Sequence, residues 1–254
     1  MIEATMRRHV LVTGSTGAIG LPLTRHLVER GHAARGFARR PTPELRDHVV
    51  GDLADRDAVR RATDGVDTVV HLGAYPNSAD FINALLGPNV VGLYHVCEAA
   101  VEFGVKRLIL ASSVQVTTGH AQRERPVTVE DGPMPINHYA LTKAWAELAG
   151  DMYARVHDLS VISVRIGWFP RNTEEARRLA KSAFGPNIFL SHRDANRFFA
   201  CCVESPNPDA GSSVVLQAAS RPVTIGRMDI GPARDVIGYE PGDTWPEGLP
   251  FPID

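Results

Sequence analysis

A short β-branched run, His9 to Thr13, passes without interruption into the glycine-rich stretch TGSTGAIG, Thr13 to Gly20, and then into an amphipathic segment. That order of strand, tight turn and helix constrains the chain more than any other feature. Glycine lets the backbone turn sharply and approach a pyrophosphate, while the unpaired N–H groups of the helix start offer partial positive charge. Gly14, Gly17 and Gly20 set a GxxGxxG spacing, with Thr16, Ala18 and Ile19 between them. A dinucleotide phosphate is the expected occupant; the alternative is a turn whose glycines serve only helix–strand packing.

The same alternation continues along the chain. Strands are expected at His9–Thr13, Ala33–Ala38, Val49–Asp52, Thr68–Leu72, Arg107–Ala111, Val161–Arg165 and Val214–Gln217, with helical patterns between most of them. One helix spans about Ala18 to Arg30, with Pro22 in its first turn and Gly31 as the stop signal; others begin near Pro88 and near Asn137. Glu124–Pro135 and Gly231–Pro252 are rich in proline and glycine and read as irregular surface segments. The pattern predicts an α/β fold, a doubly wound parallel sheet in one domain over 1–254. Cofactor binding falls mainly in 8–165 and a small substrate-side lobe mainly in 166–254.

With 27 basic and 29 acidic residues, the chain has no bulk field to recruit nucleic acid or an anionic membrane. Cys97, Cys201 and Cys202 cannot build a disulfide framework, so a reducing, cytoplasmic setting is expected. The apolar run before the first glycine is too short for a signal-peptide core or a membrane span. The histidines show no paired ligand spacing, and no metal site is expected.

Three further positions carry chemistry. Ala38 stands at the end of the second strand, where a carboxylate would accept from the ribose of NAD; Arg39 and Arg40 follow it and offer guanidiniums to a 2′-phosphate, which favours NADP over NAD. A solvated basic turn is the other reading of that pair. Asp52 either accepts from the adenine amino group or caps the next turn. Tyr139 and Lys143, four apart on a helix, project from one face, where the ammonium can stabilise a phenolate. Ser113, at the end of the fifth strand, lies where an open parallel sheet places its ligand crevice and can hold a substrate alcohol or carbonyl. Asn89 either caps the preceding helix or holds a water beside Lys143.

TGSTGAIG, GDL (Gly51–Leu53), HLGA (His71–Ala74), ASS (Ala111–Ser113) and YALTK (Tyr139–Lys143) together resemble the extended short-chain dehydrogenase/reductase superfamily, the NAD-dependent epimerase/dehydratase type. VVHLGA from Val69, GVKRLILASS from Gly104 and VRIGWFP from Val164 are similar to its uronate dehydrogenases. The resemblance implies a Rossmann-type fold, cofactor contacts at Leu53, Leu72, Gly73, Ala74, Lys143 and Ile166, and Ser113, Tyr139, Lys143 and Asn89 as the catalytic set. It also implies a homodimer through the helices starting near Asn89 and Asn137. Substrate contacts fall on Tyr75, Ser113, Val114, Gln115 and Arg177, the last gripping a carboxylate. Val114 and Gln115 stand where that group has asparagine and histidine, and Pro76 where a polar contact is expected. Two competing readings are a sugar-nucleotide epimerase or dehydratase with a recycled cofactor, and a non-catalytic NADP-sensing protein.

Overall fold

The computed structural model describes residues 7–120 and 124–253. Seven parallel strands, β1 (His9–Thr13), β2 (Ala33–Ala38), β3 (His48–Val50), β4 (Thr68–His71), β5 (Arg107–Ser113), β6 (Ser160–Ile166) and β7 (Ser213–Ala218), form one sheet in the order β3-β2-β1-β4-β5-β6-β7. Side chains alternate across it. Leu11, Val69, Leu108 and Val161 enter one core with helices α2 (Arg56–Thr63), α3 (Gly92–Glu102) and α4 (His138–His157). Val10, Val12, Val70, Ile109 and Ile162 enter the other with α1 (Gly20–Glu29), α6 (His192–Glu204) and α7 (Gly231–Ile237). A strand buried on both faces is apolar at most positions, which is why these read as near-continuous apolar runs. Helix α5 (Thr173–Lys181) completes the set.

The strand order reverses between β1 and β4, and there the loops leaving the two strands separate to form a crevice. Thr13 and His71 are register partners across that junction. The Gly73 N–H donates to the Thr13 hydroxyl at 3.1 Å, which in turn is hydrogen-bonded to His71 Nδ1 at 2.8 Å. Burial, with the charge of Lys143 adding to it, pushes His71 down to about 3, so the ring is neutral. Behind the crevice, Arg165 clamps Glu147 of α4 with two hydrogen bonds, and Ser112 donates to the same carboxylate at 2.6 Å. Both ions are buried. Removing either partner alone would leave the other charge stranded, at a cost of about 3–5 kcal/mol.

The structure departs from the sequence expectation in two elements. The helix expected from Pro88 begins at Phe81 as a π-helical stretch, Phe81–Val91, that runs on into α3. Pro88 lies inside it, tolerated in a wider ladder that an α-helix would break. The continuous Phe81–Glu102 helix is long and apolar enough by length and composition to cross a membrane, yet Leu93, Val96, Cys97, Ala99 and Ala100 are packed in the core. Gly231–Pro252, expected as an irregular surface segment, holds α7 and part of the core. Tyr239 is buried, its hydroxyl donating to the Ala219 carbonyl at 3.0 Å, and Asp243 accepts from Ser191 and Arg193. Proline and glycine mark turns in the segment without revealing that its side chains point inward.

Candidate active site

A cavity of about 980 Å³ opens at the β1/β4 crossover and extends along the ends of β5 and β6. Its near end is the glycine-rich turn: Gly14, Thr16, Gly17, Ala18, Ile19 and Gly20 all line it. Close packing makes the glycines obligatory. A Cβ on Gly20 would stand 2.3 Å from the Gly14 carbonyl oxygen, and one on Gly14, whose φ is +68°, would meet the Gly73 nitrogen at 2.9 Å. No side chain caps α1, whose Leu21 and Leu23 N–H groups donate to the Gly17 and Ile19 carbonyls of the glycine-rich turn itself. An uncapped helix start on a glycine cradle fits a pyrophosphate. Arg39, Leu72, Gly73, Ala74 and Ile166 line the same cavity.

Beyond the turn, β5 delivers Ser113 at its last residue and α4 delivers Tyr139 and Lys143 from its first two turns. Asn137 caps α4 by accepting from the Ala140 N–H at 2.8 Å, which fixes the start of the helix and the face it presents. Tyr139 is buried; burial pushes its phenol up, and a hydrogen bond to Ser113 and the charge of Arg171 pull it back. Lys143 is buried too, its Nζ donating to the Ala111 carbonyl at 2.9 Å and standing 5.8 Å from the tyrosine ring centre. Burial brings the ammonium down to about 8. The sequence spacing assigns the stabilisation of the phenolate to Lys143, whereas the groups that favour it here are Ser113 and Arg171, because the ammonium is turned to the backbone of β5.

Six expected site residues lie outside the cavity lining. Arg40 is exposed beyond Arg39. Asp52 accepts from the Ala54 N–H at 2.9 Å and caps its own turn, the second of its two expected roles. Leu53 packs behind the cavity, within contact distance of Gly73 and Gly92. The Tyr75 ring is exposed while its backbone is held by Asn89. Asn89 uses its whole amide group, accepting from the Tyr75 N–H at 2.7 Å and donating to the Tyr75 carbonyl and to Thr142 of α4. It neither caps a helix nor faces the cavity; it fastens the loop after β4 to the helix that carries Lys143. Arg177 points to the far side of α5, donating to the Ile253 carbonyl at 2.9 Å. One residue further round the helix, Arg178 lines the cavity, as do Arg171 and Glu175.

Sequence reading missed that last group, together with Thr117, Thr118, Val127, Trp168, Phe184, Ile188 and Arg227. One signal was legible. Asn172 caps α5 on the Glu175 N–H at 2.9 Å, and Glu175 reaches back to the Arg171 N–H at 2.9 Å, an N-x-x-E helix start just after a strand end. The Arg171 side chain also donates to Glu175, so the pair is clamped at the cavity wall. Phe184 and Arg227 come from separate loops, with the guanidinium 4.3 Å from the ring centre, and no local pattern joins them.

Residues 10–169 match the model of the NAD dependent epimerase/dehydratase family. The chain belongs to this family. Among relatives, it is 30% identical over 257 residues to an NAD-dependent glucose-6-phosphate dehydrogenase of Haloferax volcanii, covering 94% of each chain. A uronate dehydrogenase of Pseudomonas syringae pv. tomato is 33% identical over 211 residues, 81% of this chain and 72% of that one. Among solved structures, a glucuronic acid dehydrogenase from Chromohalobacter salexigens superposes with a TM-score of 0.81 at 26% identity, covering 94% of this chain and 86% of that one. Like these members of the family, the chain is an NAD(P)-dependent oxidoreductase with a Rossmann-type parallel sheet.

Proposed function

We propose that the chain is a dehydrogenase that transfers hydride between a nicotinamide and an alcohol or carbonyl carbon of a small anionic molecule. The observation that carries this reading is that Ser113, Tyr139 and Lys143 line one cavity with the glycine-rich turn. In oxidation, Tyr139 as phenolate takes the hydroxyl proton while Ser113 donates a hydrogen bond to the same oxygen. Lys143 presents its ammonium between the Ala111 carbonyl and the cavity, where a nicotinamide ribose would pass. The bound nicotinamide supplies the hydride acceptor, or the donor in the reverse direction. Arg171 and Arg178 line the cavity and share the Glu175 carboxylate, so two guanidiniums against that one carboxylate leave positive charge for an anionic substrate group. The relatives' names make sugar acids and sugar phosphates the first substrates to offer.

NADP is the proposed cofactor. Ala38 ends β2 without a carboxylate, and Arg39 lines the cavity beside it. Absorbance at 340 nm, followed with NADP and NAD in turn over a panel of hexuronates, neutral aldoses and hydrophobic alcohols, tests both claims. The expected result is turnover with kcat/KM higher for NADP, and a ratio that falls about 10- to 100-fold in Arg39→Ser as a charge-assisted contact to the 2′-phosphate is lost. Equal use of NAD and NADP by the unaltered protein would remove Arg39 from that role. Absence of any nicotinamide reduction, with cofactor bound, would remove the dehydrogenase reading.

The proposed assembly is a homodimer. Leu141, Trp145, Leu148 and Met152 recur at helical spacing along an exposed face of α4, and Val91 and Tyr94 are exposed in the same helical layer. A contiguous apolar stripe of that kind on two neighbouring helices is self-complementary about a two-fold axis. Sedimentation at micromolar concentration is expected to give a dimer mass, and Leu148→Glu a monomer; a monomeric parent chain would exclude the assembly.

A further inference from the structure

The wall facing Ser113 is built for something other than a polyol. On the turn that follows the serine, both threonine hydroxyl protons are already engaged: Thr117 donates to the Val114 carbonyl and Thr118 to the Gln115 carbonyl, each at 2.9 Å. The Gln115 side-chain oxygen accepts from Asn137 at 3.1 Å. Val114 itself offers no polar atom beyond its backbone. Val127, Trp168, Phe184 and Ile188 add apolar lining from segments outside the glycine-rich turn, while Asn77 and Ser78 of the loop after β4 add polar lining. A sugar acid would bury several hydroxyls against this surface, each losing water without a partner at about 1–3 kcal/mol. An alkyl or aryl group would instead bury apolar area to advantage.

The charged groups stand at one end of that apolar wall. Arg171 is held by Glu175 through its Nε and Nη2. Arg178 lies 3.9 Å from the same carboxylate, and Arg227 stacks on the Phe184 ring that forms part of the wall. An apolar surface that ends in guanidiniums matches a molecule with an apolar body and a carboxylate at its tip. We infer that the substrate of this site is an amphipathic acid, a hydroxy or keto acid with an alkyl or aryl arm, rather than a polyhydroxylated sugar acid. This rests on the dehydrogenase reading for its reacting carbon, but not for its recognition elements.

Titration calorimetry on the NADP-saturated protein separates the two, using phenylacetate, glucuronate and 2-phenylethanol as probes. Phenylacetate has an apolar arm and a carboxylate but no carbinol to oxidise, so its binding is independent of turnover. The expected result is a Kd for phenylacetate at least about tenfold below that of either other probe, a gap of the size that a few unpaired hydroxyls or one lost ion contact produce. Trp168→Ala is expected to weaken phenylacetate about tenfold and leave glucuronate unchanged, while Arg178→Gln weakens both acids. Glucuronate binding as tightly as phenylacetate, 2-phenylethanol doing so, or no binding by any probe each overturns the inference. Phenylacetate binding in a protein that oxidises no alcohol would keep this recognition surface and discard the dehydrogenase reading instead.

Discussion

Tyr139→Phe is expected to lower kcat by about 10²- to 10⁴-fold while the dissociation constant for the cofactor stays within about threefold. The ring is buried and its packing survives the change, so what disappears is one hydroxyl and its hydrogen bond to Ser113. Losing that bond costs about 1 kcal/mol of stability, too little to unfold the chain. The turn that holds the pyrophosphate is built from β1 and α1 and does not touch the substitution. The pH profile gives a second readout. Burial raises the phenol above its ordinary value, and Ser113 and Arg171 offset only part of that. Alcohol oxidation needs the phenolate, so kcat at saturating substrate should climb through the neutral and alkaline range in the parent protein. In the phenylalanine variant the residual rate should lose that climb. Parallel loss of cofactor binding and kcat, or an unchanged pH dependence, would move the proton-transfer role away from Tyr139.

The sequence made the cofactor half of this site legible and left the substrate half obscure, for a physical reason. Cofactor residues are contributed by contiguous motifs at strand ends, and strand ends in a parallel sheet all face one crevice. Gly14, Gly73, Ser113 and Ile166 were each readable from the strand that precedes them. Lys143 and Tyr139 followed from a helical spacing whose start Asn137 fixes. The substrate wall is assembled from loops far apart in the chain: Val127, Phe184 and Arg227 meet only in three dimensions. Helical phase explains the error at Arg177. A shift of one residue is 100° of rotation, enough to carry the side chain from the cavity to the Ile253 carbonyl and to bring Arg178 in. The sequence reading puts Asn89 at a helix start, whereas the helical stretch begins at Phe81 and leaves Asn89 inside it, with no start to cap.

Lys143→Met is expected to make the cofactor-free protein more stable at pH 7 and nearly inactive. Lys143 is buried with its ammonium donating to the Ala111 carbonyl, and its pKa falls from 10.5 to about 8. The sign follows from proton counts. Below about pH 8 folded and unfolded chains both carry the proton, and folding bears the full cost of a desolvated charge. Between about 8 and 10.5 the folded chain has released it while the unfolded chain keeps it, so stability rises with pH until the lysine no longer matters. A displacement of that size corresponds to about 3 kcal/mol below pH 8. Methionine fills a similar volume without a charge, but leaves the Ala111 carbonyl without its donor, which returns about 1 kcal/mol. The net gain of about 2 kcal/mol should raise Tm by roughly 4–8 °C at pH 7 and fade as the pH approaches 10.5. Turnover moves the opposite way, since the position proposed for the nicotinamide ribose loses its cation. Thermal unfolding of both proteins from pH 7 to 10, paired with kcat at pH 7, reads the two effects together. A variant less stable than its parent at pH 7 would mean that the ammonium is a structural bond to β5; a more stable, inactive variant identifies a charge that the fold tolerates at a cost for the sake of the site.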